Sequence, residues 1–343
     1  MKIIEPNFYI LRRKNKTPLQ CIESAARLAY KSEDKITQGS AEDFCARLLG
    51  RKHYPVFEFA NLHFKYCGYT SKERALADDY RRYADEFALI LKSLPYLRTT
   101  EKMEVTPGVG LQKTVYISGT VRAFAEATGK PLEVSAKYAD NLIWAAFVNF
   151  YQEYAEEHKL PAGIPEKIFY YNKWKDAVKF TPMRVGELFQ DLDEIEQLNH
   201  FMAGVQFTCS RAISHELVRH RPCSFIQASQ RYCNYSLEKF GREITFIRPS
   251  AFFPENSPEY EIWKESMRQA EKAYMDLIDK GCTAQSARNV LPNSCATEII
   301  VYATLKEWQH ILELRSSFAA DPAMQQLMKP LNQKLFFSLD CFE

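Results

Sequence analysis

Arg219-His220-Arg221-Pro222-Cys223-Ser224-Phe225-Ile226-Gln227-Ala228-Ser229-Gln230-Arg231-Tyr232 is the stretch on which the reading of this chain turns. The guanidinium groups of Arg219, Arg221 and Arg231 fall there beside the His220 imidazole, the Gln227 amide and the Ser224 and Ser229 hydroxyls. Guanidinium forks match phosphate and carboxylate geometry and stay charged at any working pH. Like charges crowded together raise the energy of a chain unless anions accompany them. The segment therefore reads as a holder for an anionic, ring-bearing ligand rather than as part of a core.

Working outward, Val205 to Cys209 alternates apolar and polar residues as a strand does, and Ser210 to Arg219 follows as a short helix with Ile213 and Leu217 on one face. The motif thus begins at a helix end. Downstream, Ile244 to Ile247 reads as a strand, and Ile262 to Lys280 as a strongly periodic helix stopped by Gly281. Thr283 reads as the cap of a short helix leading to Arg288. Ile299 to Tyr302 is a β-branched run, a helix over about Leu305 to Arg315 turns Trp308, Ile311 and Leu312 inward, and a last helix covers Ala323 to Phe337. Upstream, Gln20 to Tyr30 reads as a helix, Ser40 as the N-cap of the next, and Phe57 to Tyr66 as a strand.

The segment between about residues 68 and 203 differs in character. A long charged helix over Ser71 to Leu94, a strand-like piece at Thr114 to Ile117 and a helix around Asn141 to Glu157 are expected there, with no catalytic-looking cluster. It reads as a mostly helical insertion, with no Pro/Gly/Ser-rich linker at either end. Three roles fit it: a cover over the site mouth, a change to a subunit interface, or an inert decoration.

Composition narrows the function classes. With 46% hydrophobic residues in 343, the chain can bury a sizeable core. A net charge of +2 gives no general argument for nucleic acid or for a membrane surface. The N-terminal residues lack the charged-then-apolar pattern of an export signal, and the apolar run near Ile143 to Phe150 is too short for a bilayer. Nine cysteines without a CxxC or zinc-type spacing read as reduced thiols of a cytoplasmic chain, and no metal ligand set stands out. No complete Gly-x-Gly-x-x-Gly or Walker loop occurs, so side chains or helix N-termini must hold any phosphate.

The motif resembles the signature of the flavin-dependent thymidylate synthases, the ThyX family: Arg-His-Arg, seven residues, then Ser. The resemblance extends to Ser214-His215-Glu216-Leu217-Val218, Tyr232-Cys233-Asn234-Tyr235-Ser236, Ala287-Arg288-Asn289-Val290-Leu291-Pro292-Asn293-Ser294, Thr297-Glu298-Ile299, Trp308 with His310, and Leu314-Arg315. Ala25-Ala26-Arg27 and Tyr30-Lys31-Ser32 are similar too.

The resemblance implies an α+β fold: a mixed core with a central, largely antiparallel sheet flanked by helices. Residues 1–67 and 204–343 would form that discontinuous core, with 68–203 inserted. It implies methylation of dUMP to dTMP, with methylenetetrahydrofolate giving the carbon and NAD(P)H the reducing equivalents through FAD. No enzymic nucleophile is then required. It also implies a homotetramer whose active sites are built from several subunits.

By the same resemblance, Glu216, Arg219, Gln227, Ser229, Arg231 and Arg288 would bind dUMP. Arg219, His220, Arg221, Gln227, Asn61, Thr304, Lys306 and His310 would face FAD. Arg315 would stabilise the uracil ring ionised at N3. The chain departs from the family at Phe59, where members commonly carry a histidine, and at Asn61 and Thr304.

Two rival readings frame this one. A uridylate methyltransferase with a cysteine nucleophile would use Cys223. A nucleic-acid-binding module would use the arginines with stacking from Phe225 and Tyr232. A relative that keeps the fold but is impaired in catalysis is the third alternative.

Overall fold

A computed structural model describes residues 1–13, 16–69, 96–106, 110–127 and 178–335. The strands, in chain order, are β1 (Lys2–Ile4), β2 (Asn7–Ile10), β3 (Asn61–Tyr69), β4 (Arg98–Thr106), β5 (Gly110–Thr120), β6 (Val178–Pro182), β7 (Met202–Ser210), β8 (Ser224–Gln227), β9 (Thr245–Ile247) and β10 (Ala296–Thr304). The helices are α1 (Pro18–Tyr30), α2 (Ser40–Gly50), α3 (Val121–Ala127), α4 (Val185–Asp191), α5 (Glu194–His200), α6 (Arg211–Leu217), α7 (Pro258–Asp279), α8 (Ala284–Ala287), α9 (Leu305–Ser316) and α10 (Pro322–Leu335). Helices and mainly antiparallel sheets make this an α+β protein.

The chain divides into two compact units. The first gathers Met1–Asn15, Glu23–Thr37 and Met202–Phe342. The second gathers mainly Lys16–Ile22 and Gln38–Phe201.

In the first unit a four-stranded sheet runs β2-β7-β10-β8, antiparallel throughout. β10 is central because its sequence suits burial on both faces: Ile299, Ile300, Val301, Tyr302 and Ala303 are all buried. Over its whole length it pairs with β7, from Ala296 opposite Ser210 to Thr304 opposite Met202. Helix α9 lays Leu305, Trp308, Ile311 and Leu312 inward, the spacing of one helix face. Trp308 is fully buried, and its indole N–H donates to the Ala203 carbonyl at 3.0 Å, so the largest core side chain leaves no polar atom unpaired. Met324, Leu327, Met328, Leu331 and Leu335 of α10 complete this face.

Helix α7 has 22 residues. Ser257 accepts the Tyr260 N–H at its start, and Pro258 is its first residue. Gly281, at φ 87°, ends it where a side chain would be strained. β9 pairs in parallel with β1 beside it.

In the second unit β4-β5-β3-β6 form another antiparallel sheet. The described part of 68–203 supplies three of its four strands and the short helices α3, α4 and α5. The helices expected at Ser71 to Leu94 and Asn141 to Glu157 lie outside the described residues, as does the expected helix end at Phe337.

Two local expectations are corrected. Phe57 to Tyr66 is not one strand: Tyr54–Phe59 is a 3-10 helix, and β3 starts only at Asn61. Pro55 in the first turn presets helical φ, while burial of Phe57 and Phe59 around half-buried Glu58 mimics strand alternation. Ser40 is not the cap of α2 but its first residue; Gly39, at φ 79°, makes the turn into the helix.

A buried polar chain crosses the second unit. Ser118 is fully buried, and its Oγ lies 2.7 Å from the Nδ1 atoms of both His63 and His200. Asn61 Nδ2 lies 3.3 Å from His63 Nε2, and His200 Nε2 lies 2.9 Å from Thr100 Oγ1. An amide nitrogen only donates, so His63 Nε2 must accept, and a neutral His63 then carries its proton on Nδ1. That proton goes to Ser118 Oγ, the serine hydroxyl donates to His200 Nδ1, and His200 Nε2–H donates to Thr100. Arg98 Nη2 donates to Asn61 Oδ1 at 2.7 Å and so fixes which way the amide faces. Burial first, and the Arg98 charge second, push His200 down to about 4, so its ring is neutral at ordinary pH.

Candidate functional site

The motif folds as a connection between α6 and the edge strand β8. Ser210 caps α6 by accepting the Ile213 N–H at 3.3 Å, and the helix ends before Val218. Arg219, His220 and Arg221 therefore lie in a turn, and Ser224 to Gln227 enter the sheet opposite β10. The N-terminal segment is tied to the same place. The Ser229 N–H donates to the Ala29 carbonyl at 3.3 Å, and the Tyr30 and Tyr232 rings meet at 5.9 Å. Arg27, nearly buried, is held by Glu23 at 2.8 Å, and Lys31 pairs with Glu298.

The centre of the site is Arg315. Its Nη1 donates to Glu216 Oε2 at 2.6 Å, its Nη2 to the Glu216 carbonyl at 3.2 Å, and its Nε to His220 Nε2 at 3.0 Å. A guanidinium has five N–H groups, so three are occupied and two remain for a ligand. The last turn of α9 is thereby joined to the end of α6 and to the motif. A cation also suits a helix C-terminus, but the macrodipole alone would not demand this three-point grip.

His220 is nearly buried, at 7% exposure. Burial, then the charge of Arg315, then His310, lower its imidazole to about 4. The ring is therefore neutral. Because Arg315 only donates, His220 Nε2 must be the bare nitrogen and Nδ1 the protonated one. The His310 ring stands edge-on to it at 6.1 Å.

Glu307 Oε1 faces His220 Nδ1 at 3.9 Å. Burial raises the Glu307 carboxyl above its ordinary value, opposed by His310.

Ligand atoms of His220, Glu307 and His310 lie within 4.8 Å of one another, close enough to hold a cation. Yet a metal on His220 Nδ1 would need a proton on Nε2, where Arg315 already donates. The geometry favours an arginine lock over a metal centre.

The remaining predicted residues divide. Arg219 and Arg221 are exposed, and among the described residues neither makes an ion pair. Arg288 is half-buried in a 3-10 turn and is likewise without an ion pair among the described residues. Arg231 is exposed, with its Nε 3.3 Å from Gln285 Oε1 and its guanidinium 5.8 Å from the Tyr232 ring centre. Ser229 Oγ accepts the Arg231 N–H at 3.3 Å.

Gln227 Nε2 donates to Ser214 Oγ at 2.8 Å and Thr297 Oγ1 at 3.1 Å. Both amide protons are thus committed, and only its carbonyl oxygen is left for a ligand. Gln227 can accept a ring N–H or a sugar hydroxyl; it cannot hold phosphate.

On α9, Lys306 and His310 are both exposed one turn apart. Thr304 caps the same helix, its Oγ1 accepting the Glu307 N–H at 3.2 Å. Asn61 belongs to the second unit, within the buried histidine chain.

Cys223 is a poor nucleophile where it stands. Burial, and then the nearby Glu307 carboxylate, push its thiol far above the usual range. Glu307 is the residue the sequence reading missed. Its signal was the spacing Thr304-Leu305-Lys306-Glu307, a capping-box pattern that gave no hint of His220.

A flavin-dependent thymidylate synthase of Thermococcus onnurineus is 32% identical over 190 residues, 55% of this chain and 67% of that protein. One of Pyrococcus furiosus is 30% identical over 188 residues, again 55% and 67%. One of Geobacter sulfurreducens is 36% identical over 132 residues, 36% of this chain and 54% of that protein. Residues 134–336 match the family Thy1, described as thymidylate synthase complementing protein; the match begins within the 68–203 segment. That span is more than half of the 343 residues and contains the motif, the Arg315 clamp and β10, so the chain belongs to the Thy1 family.

Proposed function

We propose that the chain is a flavin-dependent thymidylate synthase, converting dUMP to dTMP with methylenetetrahydrofolate as carbon donor and NAD(P)H as reductant through FAD. The observation that carries this reading is the Arg315 clamp: a guanidinium fixed at three points, with two N–H groups left, beside the exposed Arg219 and Arg221.

The donor chemistry fits a flavin nucleotide and a nucleoside monophosphate together. Exposed, uncompensated guanidinium groups suit phosphates, and a cation near a flavin favours its anionic reduced form. Arg219, His220 and Arg221, with Lys306 and His310 on the outer face of α9, would hold FAD, which supplies the hydride when bound. Ser229, Arg231 and Arg288 would take the dUMP phosphate and sugar, and Gln227 would accept from the base or ribose. Arg315 would stabilise negative charge on the uracil ring as N3 loses its proton. A donor held rigidly by Glu216 and His220 needs little reorganisation as that charge develops. The Cys223 thiol, pushed up by burial, is poorly suited to covalent catalysis, which supports a route without an enzymic nucleophile. Asn61 and Thr304 remain proposed FAD contacts by family position, although both side chains already have structural partners.

The same reading has the protein acting as a cytoplasmic homotetramer with shared sites, which sedimentation equilibrium would test. Among the described residues no helix is long and apolar enough to cross a membrane.

The deciding experiment is the visible spectrum of the purified protein supplied with FAD, followed by product analysis. Bound flavin that NADPH bleaches, with dTMP formed from dUMP and methylenetetrahydrofolate, is the expected result. No flavin bound, and no spectral change on adding dUMP, would sink the proposal.

A further inference from the structure

Helices α4, α5 and α9 each carry a glutamate at their third residue, and they use it in two ways. Glu187 on α4 returns its carboxylate to the Arg184 N–H at 2.9 Å, and Glu196 on α5 does the same to the Asp193 N–H at 2.9 Å. On α5 this closes a capping box with the Asp193 carboxylate, whereas on α4 the arginine side chain cannot accept and only the glutamate half forms. Glu307 on α9 stands at the same offset from Thr304, whose Oγ1 accepts the Glu307 N–H at 3.2 Å. Yet among the described residues no hydrogen bond returns from Glu307 to the Thr304 N–H. The Thr304 residue is instead the end of β10, paired with Met202. The carboxylate thus released faces His220 Nδ1 at 3.9 Å, with 17% of the Glu307 side chain exposed and 6% of the His220 side chain.

We infer that Glu307 is a positioning residue for Arg315, acting through the His220 ring. The inference rests on the proposed role of Arg315 at the substrate. An imidazole can serve Arg315 Nε only with a bare Nε2, which requires the tautomer protonated at Nδ1. In water the opposite tautomer, protonated at Nε2, is close enough in energy to compete. That tautomer would set an N–H against the Arg315 N–H and break the clamp. A carboxylate on the Nδ1 side favours the N–H pointed at it and so selects the productive form. Second-partner carboxylates do the same for metal-bound histidines, by fixing which nitrogen keeps the proton. Here the group being served is a guanidinium.

The direct test is nuclear magnetic resonance of the full-length protein with 15N-labelled histidine, with His220 assigned by its disappearance in His220→Gln. In the unmutated protein His220 should show a protonated Nδ1 and an unprotonated Nε2. Glu307→Gln keeps an oxygen acceptor and should keep this tautomer, with kcat within about threefold. Glu307→Ala should let the Nε2-protonated tautomer appear and lower kcat about tenfold, with KM changed far less.

An unmutated His220 already protonated at Nε2 would overturn the inference even if a variant failed to fold. So would an unmoved tautomer in Glu307→Ala, or a Glu307→Gln as impaired as Glu307→Ala. The tautomer is read without substrate. If the protein makes no dTMP but the tautomer responds as stated, the positioning contact stands and the proposed activity falls.

Discussion

His200 in the second unit and His220 in the first carry nearly the same perturbation for nearly the same reason. Both are driven to about 4, by burial first and by an arginine second. Their surroundings differ in one respect that matters. Around His200 the imidazoles are closed in: Asn61, His63, Ser118 and Thr100 join it in one directed chain, and Arg98 donates to Asn61. Around His220 the bonding is left open. Arg315 keeps two N–H groups unused, Glu307 is only half-engaged, and Arg219 and Arg221 face solvent. A lowered histidine pKa therefore does not by itself identify a site. Exposed, uncompensated cations beside such a histidine mark a candidate.

The sharpest way to break this contrast is Arg315→Ala. It should reduce dTMP formation by about 100- to 1,000-fold, the usual loss when one fixed donor to developing charge is removed. Far-ultraviolet circular dichroism should be unchanged. Turnover within a few-fold of the unmutated protein would place Arg315 among structural arginines such as Arg98.

Ser118→Ala attacks the closed side. It strips one partner from each of two buried imidazoles, and an unsatisfied buried polar group costs about 1–3 kcal/mol. A drop of about 2 kcal/mol in urea unfolding is expected, and a change below about 0.5 kcal/mol would show that Ser118 bridges nothing.

Acid should act on both regions alike. Each histidine has a folded value near 4 against an ordinary 6.5, so between these values the unfolded chain binds more protons. The stability they contribute is complete above about pH 6.5 and is lost as pH falls through about 4. Urea midpoints should decline across that window, and His200→Gln should flatten the decline. A slope unchanged in His200→Gln would mean that His200 is not buried neutral.

The smallest effect belongs to Cys223→Ala, which should leave dTMP synthesis within about threefold, because no thiolate is needed. Abolished synthesis in a folded variant would restore the cysteine-nucleophile reading.

The first unit was largely legible in the sequence because its signals are local. The Val205 to Cys209 alternation became β7, the β-branched Ile299 to Tyr302 became β10, and the Ile262 periodicity became α7. The motif stands out by its crowded charge, whereas Arg288, His310 and Arg315 are singled out only by the resemblance to the ThyX family. The contacts that make them a site were not legible. Nothing in the spacing of 216, 220 and 315 says that Glu216 and His220 grip one guanidinium, since those contacts span 95 and 99 residues.

The second unit was harder still. The pairing of β3 with β5 and β6 joins distant segments, and His63, Ser118 and His200 are 55 and 82 residues apart. Isolated histidines and serines carry no period. At Tyr54–Phe59 a proline-led 3-10 turn borrowed the look of a strand, because burying every second residue is not unique to strands.

Among the described residues β8 is the outer strand of its sheet, paired with β10 alone in the order β2-β7-β10-β8. An open strand edge offers unpaired N–H and C=O groups to any extended chain that drifts past. β8 has only four residues, with Arg219 and Arg221 before it and Arg231 just beyond. Short length and flanking positive charge are how natural sheets discourage edge-to-edge association. The same arginines that make this turn a receptor for anions thus also serve as gatekeepers of solubility. Replacing them with neutral residues would threaten aggregation as well as binding.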